Sequence, residues 1–173
     1  QRLKVPIVVL DNKFENRDFD AVVMDNEAGV FLAVEHLKSL GHLEIGHLGS
    51  VLTIDNFTAR ENGFKTALEQ LGLRYNHCYD FKLMPSIDES FAMMTECIKK
   101  ARSLPTAFFA DNDIIAIGAV RALKQAGIAV PKDISVIGFD DLPICQMIDP
   151  ALSTIKILKK KMGQMAVSRL IDK

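Results

Sequence analysis

From residue 45 onward, short apolar runs alternate with longer segments whose apolar residues recur at helical spacing. Runs at 45–49, 106–110, 134–139 and 152–155 read as strands, and 78–83 as a weaker one. Segments 28–40, 59–71, 87–101, 113–126 and 159–171 read as helices. Gly41, Gly72 and Gly127 come directly after three of those helices, where the left-handed conformation that ends a helix favours glycine. Strict alternation of this kind requires crossovers that pack back onto a parallel sheet, and such crossovers are right-handed. Ala107-Phe-Phe-Ala110 and the run at 134–139 lack the polar alternation of a half-exposed strand. Both therefore belong under helices on two faces. The fold class is α/β, a parallel sheet sandwiched by helices, with two more strand-like runs at 5–10 and 20–24 ahead of it.

Composition removes several functions. The chain has 173 residues and a net charge of −1, from 21 basic and 22 acidic side chains, so no broad basic face for nucleic acid is expected in this segment. No apolar stretch approaches the ~20 residues of a membrane span. Cys78, Cys97 and Cys145 are far apart, with no C-x-x-C, and read as reduced thiols of a cytoplasmic protein. His36, His42, His47 and His77 show no ligand-like spacing, so surface or strand-edge roles are expected and no metal or cofactor. No G-x-S-x-G, P-loop or H-E-x-x-H occurs. Mg²⁺ chemistry at Asp111, Asp113, Asp140 and Asp141 would need a phosphate-binding loop after the first strand, and none is present. The chain is not expected to be an enzyme.

Polar residues gather just past the strand ends. Leu10 leads into Asp11-Asn12, and Met24 into Asp25-Asn26. Gly49 leads into Ser50 and a polar loop through Thr53, Asp55, Asn56 and Thr58 to Arg60. Ala110 leads into Asp111-Asn112-Asp113, and Phe139 into Asp140-Asp141. In open α/β sheets small ligands bind beyond the carboxyl ends of the strands. Carboxylates, amides and one arginine there suit a polyol or sugar, because together they accept from and donate to adjacent hydroxyls. Asp and Asn between strand and helix also serve as helix caps or turn residues, and on spacing alone both readings stand.

The order of motifs adds to this. Val5-Pro-Ile-Val-Val-Leu-Asp11, Asp25-Asn26, His36-Leu-Lys-Ser-Leu-Gly-His42 and Arg60-Glu-Asn-Gly-Phe64 come first. Pro105-Thr-Ala-Phe-Phe-Ala-Asp-Asn-Asp113, Val130-Pro-Lys-Asp-Ile-Ser-Val-Ile-Gly-Phe-Asp-Asp141 and Pro150-Ala-Leu-Ser-Thr-Ile155 come after them. Together they resemble the effector-binding core of the lactose-repressor/galactose-repressor family of bacterial transcription regulators, over essentially the whole chain. The resemblance implies two similar α/β subdomains around a cleft, as in periplasmic sugar-binding proteins. It implies a cytoplasmic homodimer that binds operator DNA through an N-terminal helix-turn-helix lying outside this sequence. A sugar or sugar phosphate in the cleft would shift the subdomains and so the operator affinity. By motif position, Arg60, Asn112 and Asp140 are ligand contacts, and Asn56 adds a polar contact from the loop before Arg60. Ser86 falls where many relatives place an aromatic platform. Ile157 stands where many have a glutamine. The implied division is 1–25 as part of the first subdomain, 26–155 as the second, effector-binding subdomain, and 156–173 as the return to the first. The alternative is a sugar-binding protein of a transport system with the same fold.

Overall fold

The computed structural model describes residues 5–12 and 19–172. Contacts divide the chain into two compact units, one of Gln1–Asp25 with Ile157–Lys173, the other of Asn26–Lys156.

In the smaller unit, β1 (Val8–Leu10) pairs in parallel with β2 (Asp20–Val22), and α5 (Lys159–Ile171) packs on both. The strand expected at 5–10 is shorter, since only Val8–Leu10 pairs. Pro6 has no N–H to give a ladder. Asp11 turns the chain at φ 60° while its N–H donates to the Val22 carbonyl at 2.8 Å.

The larger unit is a five-stranded, wholly parallel sheet in the order β4–β3–β5–β6–β7. Its strands are β3 (Ile45–Ser50), β4 (Asp80–Leu83), β5 (Ala107–Ala110), β6 (Ser135–Phe139) and β7 (Ser153–Ile155). Helices α1 (Asn26–Ser39) and α2 (Asp55–Gln70) pack on each other, as do α3 (Ile87–Lys100) and α4 (Asp113–Gln125). Alternate residues of the central strands serve the two helix pairs. His47 and Phe109 stack with Phe64 of α2, whereas Leu48 and Phe108 join the core built around α4. Leu48, Leu83, Phe108, Ile115 and Leu123 are fully buried there.

Two helices begin earlier than their apolar spacing indicates: α1 starts at Asn26 instead of 28, and α2 at Asp55 instead of 59. Single-turn 3₁₀ segments at His77–Tyr79 and Pro143–Gln146 carry no periodic signal. Where α3 meets α4 the backbones approach closely, and a Cβ at Gly118 would lie 1.8 Å from Ser90 Oγ.

Chain direction places the site. From β3 the chain crosses through α2 to β4 on one side, and from β5 it crosses through α4 to β6 on the other. The carboxyl ends of the adjacent strands β3 and β5 are therefore the topological switch point, where loops part and leave a crevice.

Candidate functional site

Arg60 lies in the second turn of α2 and is only 3% exposed. A guanidinium is buried in this way only when its donors are matched. Nε donates to Asn26 Oδ1 at 2.9 Å, Nη1 to the Asp111 main-chain carbonyl, and Nη2 to Asp140 Oδ1 at 3.3 Å. Its Cζ lies 3.9 Å from the centre of the Phe139 ring, a cation–π contact. Close packing confines that ring elsewhere, since a Cβ at Gly29 of α1 would lie 2.7 Å from its edge. The Asn26 amide continues the network, donating through Nδ2 to Asn56 Oδ1 at 2.9 Å.

Asp140 comes after β6 at φ 112°, and Asp141 at φ 50°. A non-glycine residue at φ 112° is strained, and such strain persists where surrounding structure over-determines it. The main-chain N–H of Asp140 donates to the Ile155 carbonyl at 2.9 Å, tying the turn to β7. Asp141 pairs with Lys156 at 3.0 Å.

The acids flanking Asn112 do not cap α4 in the way their position suggests. Asn112 is itself the N-cap, its Oδ1 accepting from the Ile115 N–H at 2.9 Å. The buried Asp113 carboxylate accepts from the Leu142 N–H at 2.8 Å and the Thr154 hydroxyl at 2.5 Å, fastening the 140–142 turn. Gly138 leaves room for it, because a Cβ there would lie 2.3 Å from Asp113 Oδ1. The buried Asp111 carboxylate spans the crevice between β5 and β3, accepting from the Ser50 N–H at 2.7 Å and from His47 Nε2 at 2.8 Å.

His47 corrects the surface role expected for the histidines. It is 1% exposed, with Nδ1 3.2 Å from Asp80 Oδ1, and stacks against Phe64 and Phe109. Burial alone would lower its pKa. Hydrogen bonds to Asp111 and Asp80, with their charges, carry it above the ordinary imidazole value. Asp80 is pulled down despite its burial by hydrogen bonds from His47 and from the Tyr75 hydroxyl, which lies at 2.6 Å.

Arg60, Asp140 and Asn56 are thus brought into one network. Asn56 is not in a loop but in the first turn of α2, because the helix begins at Asp55. Asn112 stands at the same sheet edge with its carbonyl oxygen used in the cap. Ser86 occupies the N-cap position of α3, beyond the end of β4, without a side-chain capping bond. Sequence reasoning gives no site role to two members: Asn26, named only as a polar residue after Met24 and now at the start of α1, and His47, a polar residue inside a buried strand. Beside Asp111, a cavity of ≈ 350 Å³ is lined by Ser50, Thr53, Phe57, Thr58, Glu61 and Lys82 among others. Among the described residues, no cluster of three His, Cys, Asp or Glu is placed to hold a metal ion. Among them, too, no helix is long and apolar enough to cross a membrane.

Comparison with known proteins matches residues 34–173 to the periplasmic binding protein-like domain. The HTH-type transcriptional repressor PurR of Pasteurella multocida is 31% identical over 169 residues, 98% of this chain and 50% of the relative. The chain spans about half the length of the curated relatives it matches. A sugar-binding transcriptional regulator of the LacI family from Escherichia coli, solved with phosphate, superposes with a TM-score of 0.87 at 34% identity. The match covers 96% of this chain and 59% of that one. A LacI family regulator from Enterococcus faecium, solved with bound ribose, superposes with a TM-score of 0.84 at 34% identity, the shares being 96% and 61%.

Proposed function

Because the chain belongs to the periplasmic binding protein-like domain family, in the form LacI-family repressors carry, we propose that its effector is a sugar or sugar phosphate. The observation that carries this reading is the convergence of Arg60, Asp140, Asn26 and Asn56 at the carboxyl edge of the sheet, with Asp140 held at φ 112°. A guanidinium fork donates to one hydroxyl while the carboxylate beside it accepts from the next. Arg60 and Asp140 are the principal contacts. Asn112 contributes the amide nitrogen that its cap leaves unused, and Asn56 and Ser86 flank them. Solved relatives carry phosphate in one case and ribose in another, which supports the ligand class.

The unit Asn26–Lys156 is assigned as the second effector-binding subdomain, and the smaller unit as part of the first. Effector binding favours one arrangement of the two subdomains, and operator affinity changes by that differential affinity. The whole protein acts as a cytoplasmic homodimer that reaches operator DNA through an N-terminal helix-turn-helix. It binds its ligand without altering it covalently.

The test is a thermal-shift screen of the full-length protein against sugars and sugar phosphates, then calorimetry on each hit. Arg60→Ala and Asp140→Asn are each expected to weaken a hit by ~10- to 1,000-fold, as for buried charge-assisted hydrogen bonds. Wild-type affinity in both variants would overturn the site assignment. A screen in which only chemically unrelated compounds stabilise the protein would overturn the ligand class.

A further inference from the structure

We infer that His47 is a positioning residue for Arg60: it fixes the Asp111 carboxylate, and through the Asp111 main-chain carbonyl it sets the guanidinium. The inference deepens the effector-site reading of Arg60 and rests on it.

The geometry is a relay of direct contacts. Asp111 uses one carboxylate oxygen on His47 Nε2 and the other on the Ser50 N–H, so its carboxylate is held from two directions. The carbonyl of the same residue accepts from Arg60 Nη1. A residue pinned through its side chain cannot present its carbonyl elsewhere without breaking one of those bonds. Gly49 keeps the arrangement open, because a Cβ there would lie 2.7 Å from His47 Cε1 and 2.8 Å from Lys82 Nζ.

An apolar cluster could fill this space as well, so packing alone does not call for an ionic one. Buried ionic groups are often no better than apolar residues of the same volume, and His47 lies in an aromatic stack between Phe64 and Phe109 that an apolar side chain could fill. What the ionic version adds is direction. Both imidazole nitrogens face carboxylate oxygens, so the protonated ring donates to both. Losing the Nε2 proton would set a lone pair against the Asp111 carboxylate and release it, and losing the Nδ1 proton would do the same at Asp80. The charged and titratable groups around the ring are Asp80 of β4 on Nδ1 and Asp111 on Nε2. Tyr75 donates to Asp80, and Lys82 lies 3.7 Å from Asp80 while also pairing with Glu61 of α2. From α2 and β5 the ring otherwise meets Phe64 and Phe109.

The test needs no ligand, so a failed sugar screen and a failed inference are separable. In full-length protein carrying ¹⁵N-labelled arginine and histidine, the Arg60 Nη–H resonances, which include the donor to the Asp111 carbonyl, and the His47 ring nitrogens are tracked against pH. The Arg60 signal is expected to move with the same midpoint as His47. Asp80→Asn, which preserves size, is expected to lower both midpoints together. His47→Gln is expected to abolish the pH response at Arg60 and to speed Nη1–H exchange with solvent by ~10-fold or more, the factor for one lost buried hydrogen bond. If Arg60 stays flat through the His47 titration, the inference is overturned. It is overturned equally if Asp80→Asn shifts His47 alone. Should His47→Gln fail to fold, the wild-type and Asp80→Asn titrations decide the question.

Discussion

Arg60→Ala tests more than binding, because the side chain is built into the core. Its removal strands two buried acceptors, Asn26 Oδ1 and the Asp111 carbonyl, each at ~1–3 kcal/mol. The contact with the Phe139 ring adds ~1 kcal/mol. The Asp140 pair adds less, ~0–1 kcal/mol, because its N–O distance is 3.3 Å and the carboxylate side chain is 25% exposed. Water entering the vacated space returns part of this, and the expected loss is about 3–5 kcal/mol. Urea unfolding of the full-length protein, monitored by far-ultraviolet circular dichroism, reads it as a lowered midpoint at unchanged slope. A loss below ~1 kcal/mol would refute the reasoning, since it would mean that these bonds exchange freely with water and that Arg60 is a solvated grip. Asp140→Asn separates the two roles. The amide suits φ 112° at least as well and the site is partly wet, so stability should change by under ~1 kcal/mol while ligand affinity falls.

Other outcomes rest on the same contacts. His47 is raised, so its contribution to stability is complete below its ordinary value of 6.5 and is lost as pH rises through its folded value. Asp80 is lowered, so its contribution is complete above 3.8 and is lost as pH falls. Unfolding free energy measured across pH should therefore fall on both flanks, and His47→Gln should flatten the alkaline one; an unchanged alkaline slope would refute this. Gly118→Ala should cost ~3 kcal/mol or more, because its Cβ meets Ser90 Oγ at 1.8 Å and the Ile87 carbonyl at 2.6 Å; Ser90→Gly should restore only part, and full rescue would mean that the backbone contact yields. Asn112→Ser should retain the α4 cap and Asn112→Ala lose ~1 kcal/mol in thermal unfolding, with equal stabilities counting against a capping role. Cys145 is buried and its thiol is pushed up to about 12 by burial and by Asp113, so a thiol reagent should label exposed Cys78 first and Cys145 only on unfolding.

The sheet is legible in the sequence because Ala107–Ala110 and Ser135–Phe139 are almost wholly apolar, as only doubly covered strands can be. The start of α2 is not. Ile54 precedes it without a side-chain cap, and Asp55-Asn56 look like loop until the helix encloses them. Asn56 therefore reads from the sequence as a loop residue, while the structure places it in the first turn of the helix and in the Asn26–Arg60 network. Asp111 and Asp113 show a different limit. Local spacing suggests caps, whereas their carboxylates bind residues 61, 29 and 41 positions away, and no local pattern encodes such partners. His47 is hidden on the same ground, since a histidine within a strand declares its carboxylates only once β4 and β5 flank it.

The Phe139 ring has a consequence for how such a site changes. Its edge packs close to Gly29 of one helix, and the guanidinium carried by another helix lies over its face. A single methyl at position 29 would displace the ring on which the Arg60 guanidinium rests. The setting of Arg60 would therefore change through an apolar position outside its hydrogen-bond network, with every hydrogen-bonding residue of that network unchanged. A search for specificity that compares only the polar residues would pass over it.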